Sequence, residues 1–330
     1  MRINEERIVV LGDVRVIKTQ MDALAKQYLV DFVPSTSRER TIVELQELAT
    51  RRTYHAMIVL GPGGSIGQLD AEIFGPFIPT LEFVSGVGAG FDHVDIDYLT
   101  ANNVVYANTP YAVADPTATT TAMLILQTVR AASQAEMAVR RGDWRKGLEF
   151  TPDTRGLVVG ILGMGNIGKL LMHKLEAFGF RIVYHNRHRL PRSEEGRARY
   201  VSFEELIQAS DIICPCTPLT HSTFHLISDR EFAMMKDGVF IINTSRGPVI
   251  NEKALCRALQ SGKVLRAGLD VFEREPAIEP YLLASDRVSL LPHWGCTTKQ
   301  CVIDTENEAF DNLMQWIETG TSNTPVSIRS

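Results

Sequence analysis

The chain has 330 residues, 45% hydrophobic and 22% charged, and its 34 Lys and Arg against 39 Asp and Glu leave a net charge of −5. At about 100–200 residues per domain, this length predicts two domains that can each bury a core. The acidic balance excludes a general nucleic-acid or membrane-surface binder, which needs a basic face. Five cysteines, Cys214, Cys216, Cys256, Cys296 and Cys301, make no complete disulfide set and show no paired zinc spacing, so no metal is expected. Cys214 and Cys216 stand in the apolar run DIICPCTPL and read as buried strand. The start MRINEERIVVLGD is not signal-like, and no apolar run reaches the length of a membrane span. A cytoplasmic protein with reduced thiols is therefore expected.

In chain order, a strand is expected at Ile8–Leu11, followed by a helical stretch to about Tyr28. A second apolar run, Ala56–Leu60, ends in Gly61-Pro62-Gly63-Gly64, and a third, Leu81–Ser85, ends in Gly86-Val87-Gly88-Ala89-Gly90. Short apolar strands separated by helical segments indicate parallel βα units, whose ligands sit beyond the carboxyl ends of the strands. One long helix is expected from about Thr117 to Arg141, started by Asp115-Pro116, because proline suits the first helical turn. A stronger βαβ series follows, with strands near 157–162, 181–185, 211–215, 239–243, 265–270 and 287–291, and a last helix covers about 302–318. No repeat of 20–50 residues is evident.

The strongest local motif is VVGILGMGNIGK, a GxGxxG at Gly163, Gly165 and Gly168 with an apolar strand before it and a helix after it. Gly163 suits the tight turn, Gly165 the approach of a pyrophosphate, and Gly168 the packing of helix on strand. Free N–H groups at the helix start hold phosphates. A site for NAD usually carries Asp or Glu about 20 residues on, against the ribose 2′-hydroxyl. Here the strand reads RIVYHNRHRL, which puts Asn186 at that position and Arg187 next to it. No carboxylate repels a 2′-phosphate there, and a guanidinium can pair with one, so NADP is expected to be preferred, with NAD possible.

Three further segments end predicted strands of the same series: IINTSRG with Arg246, GLDVFEREP with Asp270 and Glu275, and LPHWG with His293. They converge on the edge where a nicotinamide lies. A cation, a carboxylate and a histidine there suit reduction of a 2-oxo acid: the arginine holds the carboxylate and carbonyl, and the histidine delivers a proton under the influence of its acidic neighbour.

The pieces VGAGFDHVD, NTP, GILGMGNIG, CTPLTHSTFHLIS, MMKDGVFIINTSRG, AGLDVFEREP and LPHWG, in this order from about Ile58 to Gly295, resemble the D-isomer-specific 2-hydroxyacid dehydrogenases. The resemblance implies an α/β chain of two Rossmann-like or flavodoxin-like parallel-sheet domains with an active-site cleft between them. The substrate-binding domain would be discontinuous, 1–108 plus 303–330, and the dinucleotide-binding domain 109–302, closing about the two crossings to expel water. It implies catalytic Arg246, Glu275 and His293, with Glu275 rather than Glu273 as the acidic partner. Backbone amides at Val87 and Gly88 would hold the substrate carboxylate. Asp270 would contact the nicotinamide carboxamide, Asn166 and Ile167 would lie under the pyrophosphate, and Thr223, Thr244 and Ser245 near the cofactor. The long helix and the arm through Trp144 resemble the family's dimer contacts and imply a homodimer. The other histidines, among them His93 and His225, receive no catalytic role.

The YHNRHRL and PHWG segments are similar to the glyoxylate/hydroxypyruvate reductase branch, fungal type, which implies a small 2-oxo or 2-hydroxy acid as the partner molecule. Trp294 and Leu60 are expected to line the substrate pocket. An NAD-dependent dehydrogenase for a larger, aromatic, D-mandelate-like substrate is the alternative. A nucleotide-sensing corepressor is a remote one, since Asn186 replaces the acidic residue usual there. A formate dehydrogenase would carry glutamine where Glu275 stands.

Overall fold

The computed structural model describes residues 6–61 and 66–326. The turn expected at Gly61–Gly64 lies, from Pro62 on, outside the described residues. The chain forms two compact units, 1–113 with 298–330, and 114–297. Their limits lie five residues from the domain limits expected at 108/109 and 302/303.

The first unit is built on a five-stranded parallel sheet of order β2-β1-β3-β4-β5, made of β1 (Arg7–Gly12), β2 (Leu29–Val33), β3 (Ala56–Leu60), β4 (Phe83–Gly86) and β5 (Val105–Ala107). Its helices are α1 (Lys18–Leu24), α2 (Arg38–Arg51), α3 (Ala71–Phe74), α4 (Ile96–Ala101) and, returning at the end of the chain, α12 (Lys299–Thr319). The apolar runs are continuous because both sheet faces are covered. Val9, Leu11, Met57 and Val59 face a cluster with Tyr54 and Phe74, while Ile8, Val10, Ile58 and Leu60 face another with Leu313 and Trp316. Phe83 stacks on Trp316 with centroids 5.3 Å apart. Thr298 caps α12 by accepting from the Cys301 amide at 3.0 Å, so that helix starts three residues before the expected 302.

The second unit carries a seven-stranded parallel sheet of order β12-β11-β10-β9-β6-β7-β8. Its strands are β6 (Val158–Leu162), β7 (Arg181–His185), β8 (Arg199–Tyr200), β9 (Ile212–Pro215), β10 (Val239–Asn243), β11 (Val264–Leu269) and β12 (Val288–Leu290). The helices are α5 (Ala114–Val129), α6 (Ala132–Arg141), α7 (Asn166–Glu176), α8 (Phe203–Ala209), α9 (Asp229–Met234), α10 (Glu252–Gln260) and α11 (Pro280–Ala284). Strand order reverses beside β6, which makes the carboxyl end of β6 the switch point where such sheets bind ligands.

The single helix expected over 117–141 is two, α5 and α6, broken at Ala131 with φ +49°. The apolar spacing runs on through the break, and neither glycine nor proline marks it. Side-chain bonds bridge it instead: Ser133 accepts from Gln127 at 2.6 Å across the break and meets the Ser289 hydroxyl of β12 at 3.1 Å. Cys214 is buried on β9, as its apolar run predicts, whereas Cys216 lies past the end of that strand, after Pro215, and is only half-buried. Among the described residues, no helix is long and apolar enough to cross a membrane and no group of acidic, His or Cys side chains is arranged to hold a metal.

Candidate active site

The glycine loop leaves β6 at the switch point. Gly163 has φ +100°, a left-handed conformation that favours glycine, and a Cβ there would stand 2.8 Å from the Cys216 carbonyl oxygen. A Cβ on Gly168 would collide with the Gly163 carbonyl, so this glycine lets the start of α7 lie against the turn. A Cβ on Gly165 meets nothing within 4 Å. Gly165 is also the N-cap of α7 and supplies no side-chain cap. The helix thus opens with uncapped amides, at Asn166, Ile167 and Gly168, into clear space. That is the cradle a pyrophosphate requires, and these residues fit a dinucleotide.

Asn186 follows β7 and its Oδ1 accepts the Met164 amide at 2.6 Å, so it ties the glycine loop to the second strand. Arg187 is exposed and nothing among the described residues pairs with it. Arg189 is differently placed: it grips the buried Glu195 with two hydrogen bonds of 2.7 and 2.9 Å, and Tyr184 Oη adds a third at 2.8 Å. The bonds from Arg189 and then Tyr184 hold the Glu195 carboxyl down to about 2. Of these two arginines after β7, Arg189 is thus engaged within the protein and Arg187 is exposed without a described partner.

The remaining groups leave β10, β11 and β12, neighbours in the sheet. After β10, the Asn243 side chain organises the turn. Its Oδ1 accepts from Ser245 N and Oγ at 3.1 and 2.8 Å, and its Nδ2 donates to the Arg246 carbonyl at 2.9 Å. Thr244 turns inward, its hydroxyl 2.7 Å from that of Thr121 on α5. A Cβ on Gly247 would collide with the Phe272 carbonyl, so only glycine lets the Arg246 loop lie against the chain leaving β11. Sequence reasoning passed over Asn243 and Thr121; a buried amide closing an otherwise apolar strand was the available signal for Asn243.

After β11, Asp270 is 1% exposed, and its two oxygens accept the Trp294 and Gly295 amides at 2.5 and 2.8 Å. The His293 amide donates to the Asp270 carbonyl at 2.7 Å. Burial pushes the Asp270 carboxyl up, against the pull of those amides. This clamp holds His293 at φ +53°, a conformation rare for a side chain of its size. His293 Nδ1 then lies 2.7 Å from Glu275 Oε2, while Glu275 Oε1 accepts the Phe272 amide at 2.9 Å. The bond to Glu275 raises the His293 pKa, against burial and the Arg246 charge. Burial alone would raise Glu275. Its bonds to His293 and Phe272, with the charges of His293 and Arg246, outweigh that and hold it below the ordinary carboxyl value. The result is an imidazole whose protonated form is favoured by its carboxylate partner, with the Arg246 charge opposing it.

The other expected residues are placed as follows. Thr223 closes its own turn, donating to the Pro218 carbonyl at 2.7 Å. Trp294 is 49% exposed, whereas Leu60 is 1% exposed within the core of the first unit. In the Gly86–Gly90 loop, the Gly88 amide donates to Thr109 Oγ1 at 2.6 Å and the Val87 amide to the Val59 carbonyl at 3.4 Å. Among the described residues, the amides of Ala89 and Gly90 have no such acceptor.

Residues 122–295 match the family model of the D-isomer specific 2-hydroxyacid dehydrogenase NAD-binding domain. A Schizosaccharomyces pombe chain named as a 2-hydroxyacid dehydrogenase is 42% identical over 98% of this chain and 96% of its own. A glyoxylate reductase structure from Paecilomyes thermophila superposes with a TM-score of 0.93 at 36% identity, covering 98% of both chains. The holo form of Rhodotorula graminis D-mandelate dehydrogenase superposes with a TM-score of 0.92 at 31% identity, covering 99% of both.

Proposed function

The chain belongs to the D-isomer specific 2-hydroxyacid dehydrogenases, NAD(P)-linked oxidoreductases of the glyoxylate/hydroxypyruvate reductase type, and from that premise we propose that it reduces a small 2-oxo acid to the D-2-hydroxy acid with NADPH. The observation that carries this reading is the 2.7 Å bond between His293 Nδ1 and Glu275 Oε2, with Arg246 acting electrostatically on both. The reduced nicotinamide, when bound, supplies the hydride to C2. Arg246 anchors the substrate carboxylate and polarises the ketone. His293, with Nδ1 engaged by Glu275, presents Nε2 and gives its proton to the forming alkoxide. Glu275 stabilises the imidazolium until that transfer.

The dinucleotide is assigned to the α7 start at Asn166–Gly168 and to Thr223, Ser245 and Asp270. The uncharged Asn186 and the exposed Arg187 support a 2′-phosphate and hence NADPH. A larger aromatic 2-oxo acid is the second reading, favoured by the exposed Trp294 ring next to His293. Self-association as a homodimer is supported by the exposed apolar side chains Met123, Met137, Val139, Trp144, Leu148 and Phe150 along one stretch of chain.

The test is a panel of 2-oxo acids, from glyoxylate and hydroxypyruvate to benzoylformate, against NADPH and NADH. It uses the native protein and His293→Ala. Native turnover with NADPH that falls by about 10²-fold or more in the variant is expected. Near-normal turnover by His293→Ala would remove the proton donor from the scheme, and stronger use of NADH would remove the assignment of Arg187.

A further inference from the structure

His293 and Glu275 are not the only imidazole–carboxylate pair at this edge. Glu273 Oε1 lies 2.9 Å from His225 Nε2. Its other oxygen accepts the Glu252 amide at 3.2 Å. Glu252 returns the bond, accepting the Glu273 amide at 3.0 Å and the Glu279 amide at 3.3 Å. The His225 amide donates to the Pro248 carbonyl at 2.7 Å, and Ile227 to the Val249 carbonyl at 3.2 Å. Three segments, 223–227, 246–252 and 272–279, are thus tied together around one ring. Pro248 is two residues from Arg246, and Glu273 two residues from Glu275.

The neighbours also fix the tautomer of that ring. Asn251 is the N-cap of α10, and its Oδ1 accepts the Ala254 amide at 3.0 Å. Its Nδ2 is therefore the end that faces His225 Nδ1, at 3.3 Å. An amide nitrogen only donates, so Nδ1 accepts and the ring proton sits on Nε2, donated to Glu273. His225 is held here at φ +49°, a conformation that few side chains of its size adopt unless their surroundings impose it. The Phe224 ring stacks on it with centroids 4.0 Å apart.

We propose that His225 is a positioning residue: its ring, bonded at Nε2 to Glu273 and at Nδ1 to Asn251, joins the two loops that carry Arg246 and Glu275. Its role requires no contact with substrate or cofactor. The inference rests on the reduction proposed above for its kinetic consequence, but the placement of Glu275 against His293 is a property of the protein alone. The charged groups facing His293 are Glu275, Arg246 and Asp270, and those beside His225 are Glu273 and, behind it, Glu252. Losing the junction frees Glu275 and Arg246 together. A displacement of about 1 Å at a reacting geometry costs on the order of 10²-fold in rate.

The experiment compares native protein with His225→Phe, His225→Gln and Glu273→Gln. Phe keeps the stacked ring and loses the donor, whereas Gln can still donate to Glu273. Two readouts are taken: steady-state reduction of the best oxo acid, and NMR titration of the His293 ring without cofactor. His225→Phe is expected to lower kcat by about 10–100-fold with KM for NADPH nearly unchanged. It should also move the His293 midpoint down by about half a pH unit, as the charged partner loosens. Glu273→Gln should move both readouts the same way, and His225→Gln should restore most of both. A purely structural role predicts a lower melting temperature for His225→Phe with kcat per folded molecule and the titration unmoved, and that result overturns the proposal. Should His225→Phe not fold, an unmoved titration in Glu273→Gln overturns it equally. A native protein that reduces no 2-oxo acid would sink the reduction instead, while the titration still decides for or against the junction.

Discussion

Replacing Glu275 by Gln isolates the charge of the acidic partner from its shape. Gln fills the same space but has one acceptor oxygen where Glu275 uses two, for His293 Nδ1 and the Phe272 amide, so the negative charge 2.7 Å from the ring disappears together with one of these bonds. A hydrogen bond to a charged group contributes about 1.5–3 kcal/mol. The two side chains are 45% and 34% exposed, so water screens the pair and the lower end applies. At about 1.36 kcal/mol per unit of pKa, about 1.5 kcal/mol corresponds to a fall of about one unit in the His293 pKa. Reduction needs the protonated ring, and a lower pKa empties that form at lower pH. The alkaline limb of kcat/KM for reduction should therefore move down by about one pH unit. The pH at which oxidation of the hydroxy acid switches on should move down with it. The assay is kcat/KM against pH in both directions, native against Glu275→Gln. An alkaline limb that stays in place, or moves up, would show that Glu275 does not govern the proton on His293.

Two further perturbations probe the cofactor unit. Gly165→Ala places its methyl in open space, so the melting temperature should hold while KM for NADPH rises. Gly168→Ala drives its methyl into the Gly163 carbonyl and should lower both the melting temperature and cofactor affinity. Equal losses of stability in the two variants would contradict this division. Glu195 has its folded pKa lowered to about 2, so its contribution to stability is present above the ordinary carboxyl value of 4.5 and is lost as pH falls from there through about 2. Glu195→Gln should therefore melt at a lower temperature than the native protein at neutral pH, with the gap narrowing as acid is added. A gap that is constant with pH, followed by circular dichroism, would refute the pairing with Arg189.

The pairings that set the chemistry span very different distances along the chain, and this decides which of them the sequence reveals. Gly163, Gly165 and Gly168 are legible because a turn, a clear approach and a close packing are made within six residues. An arginine, a carboxylate and a histidine at one edge were legible because their segments follow apolar parallel strands, which deliver their carboxyl ends together, but the choice of Glu275 over Glu273 came only from the resemblance to the family. The bond between His293 and Glu275 itself crosses 18 residues and depends on the Asp270 clamp on the Trp294 and Gly295 amides. β5 and β8, three and two residues long, are too short to announce themselves, and the edge strand β2, LVDFV, buries only Val33 and so lacks a continuous apolar run.

Local spacing of apolar residues and glycines, acting through backbone sterics, was enough to determine two parallel α/β units, a glycine turn at a helix start and the strands that Arg246, Glu275 and His293 follow. Which polar atoms meet was decided only when those strand ends converged. Asn186 could serve the glycine loop, Arg189 could be drawn to Glu195, α5 could break from α6 at Ala131, and His225 could clasp Glu273. Each joins atoms whose partners are chosen by the folded backbone, since a hydrogen bond needs its two ends within about 3 Å and in line, a condition no spacing along the chain encodes.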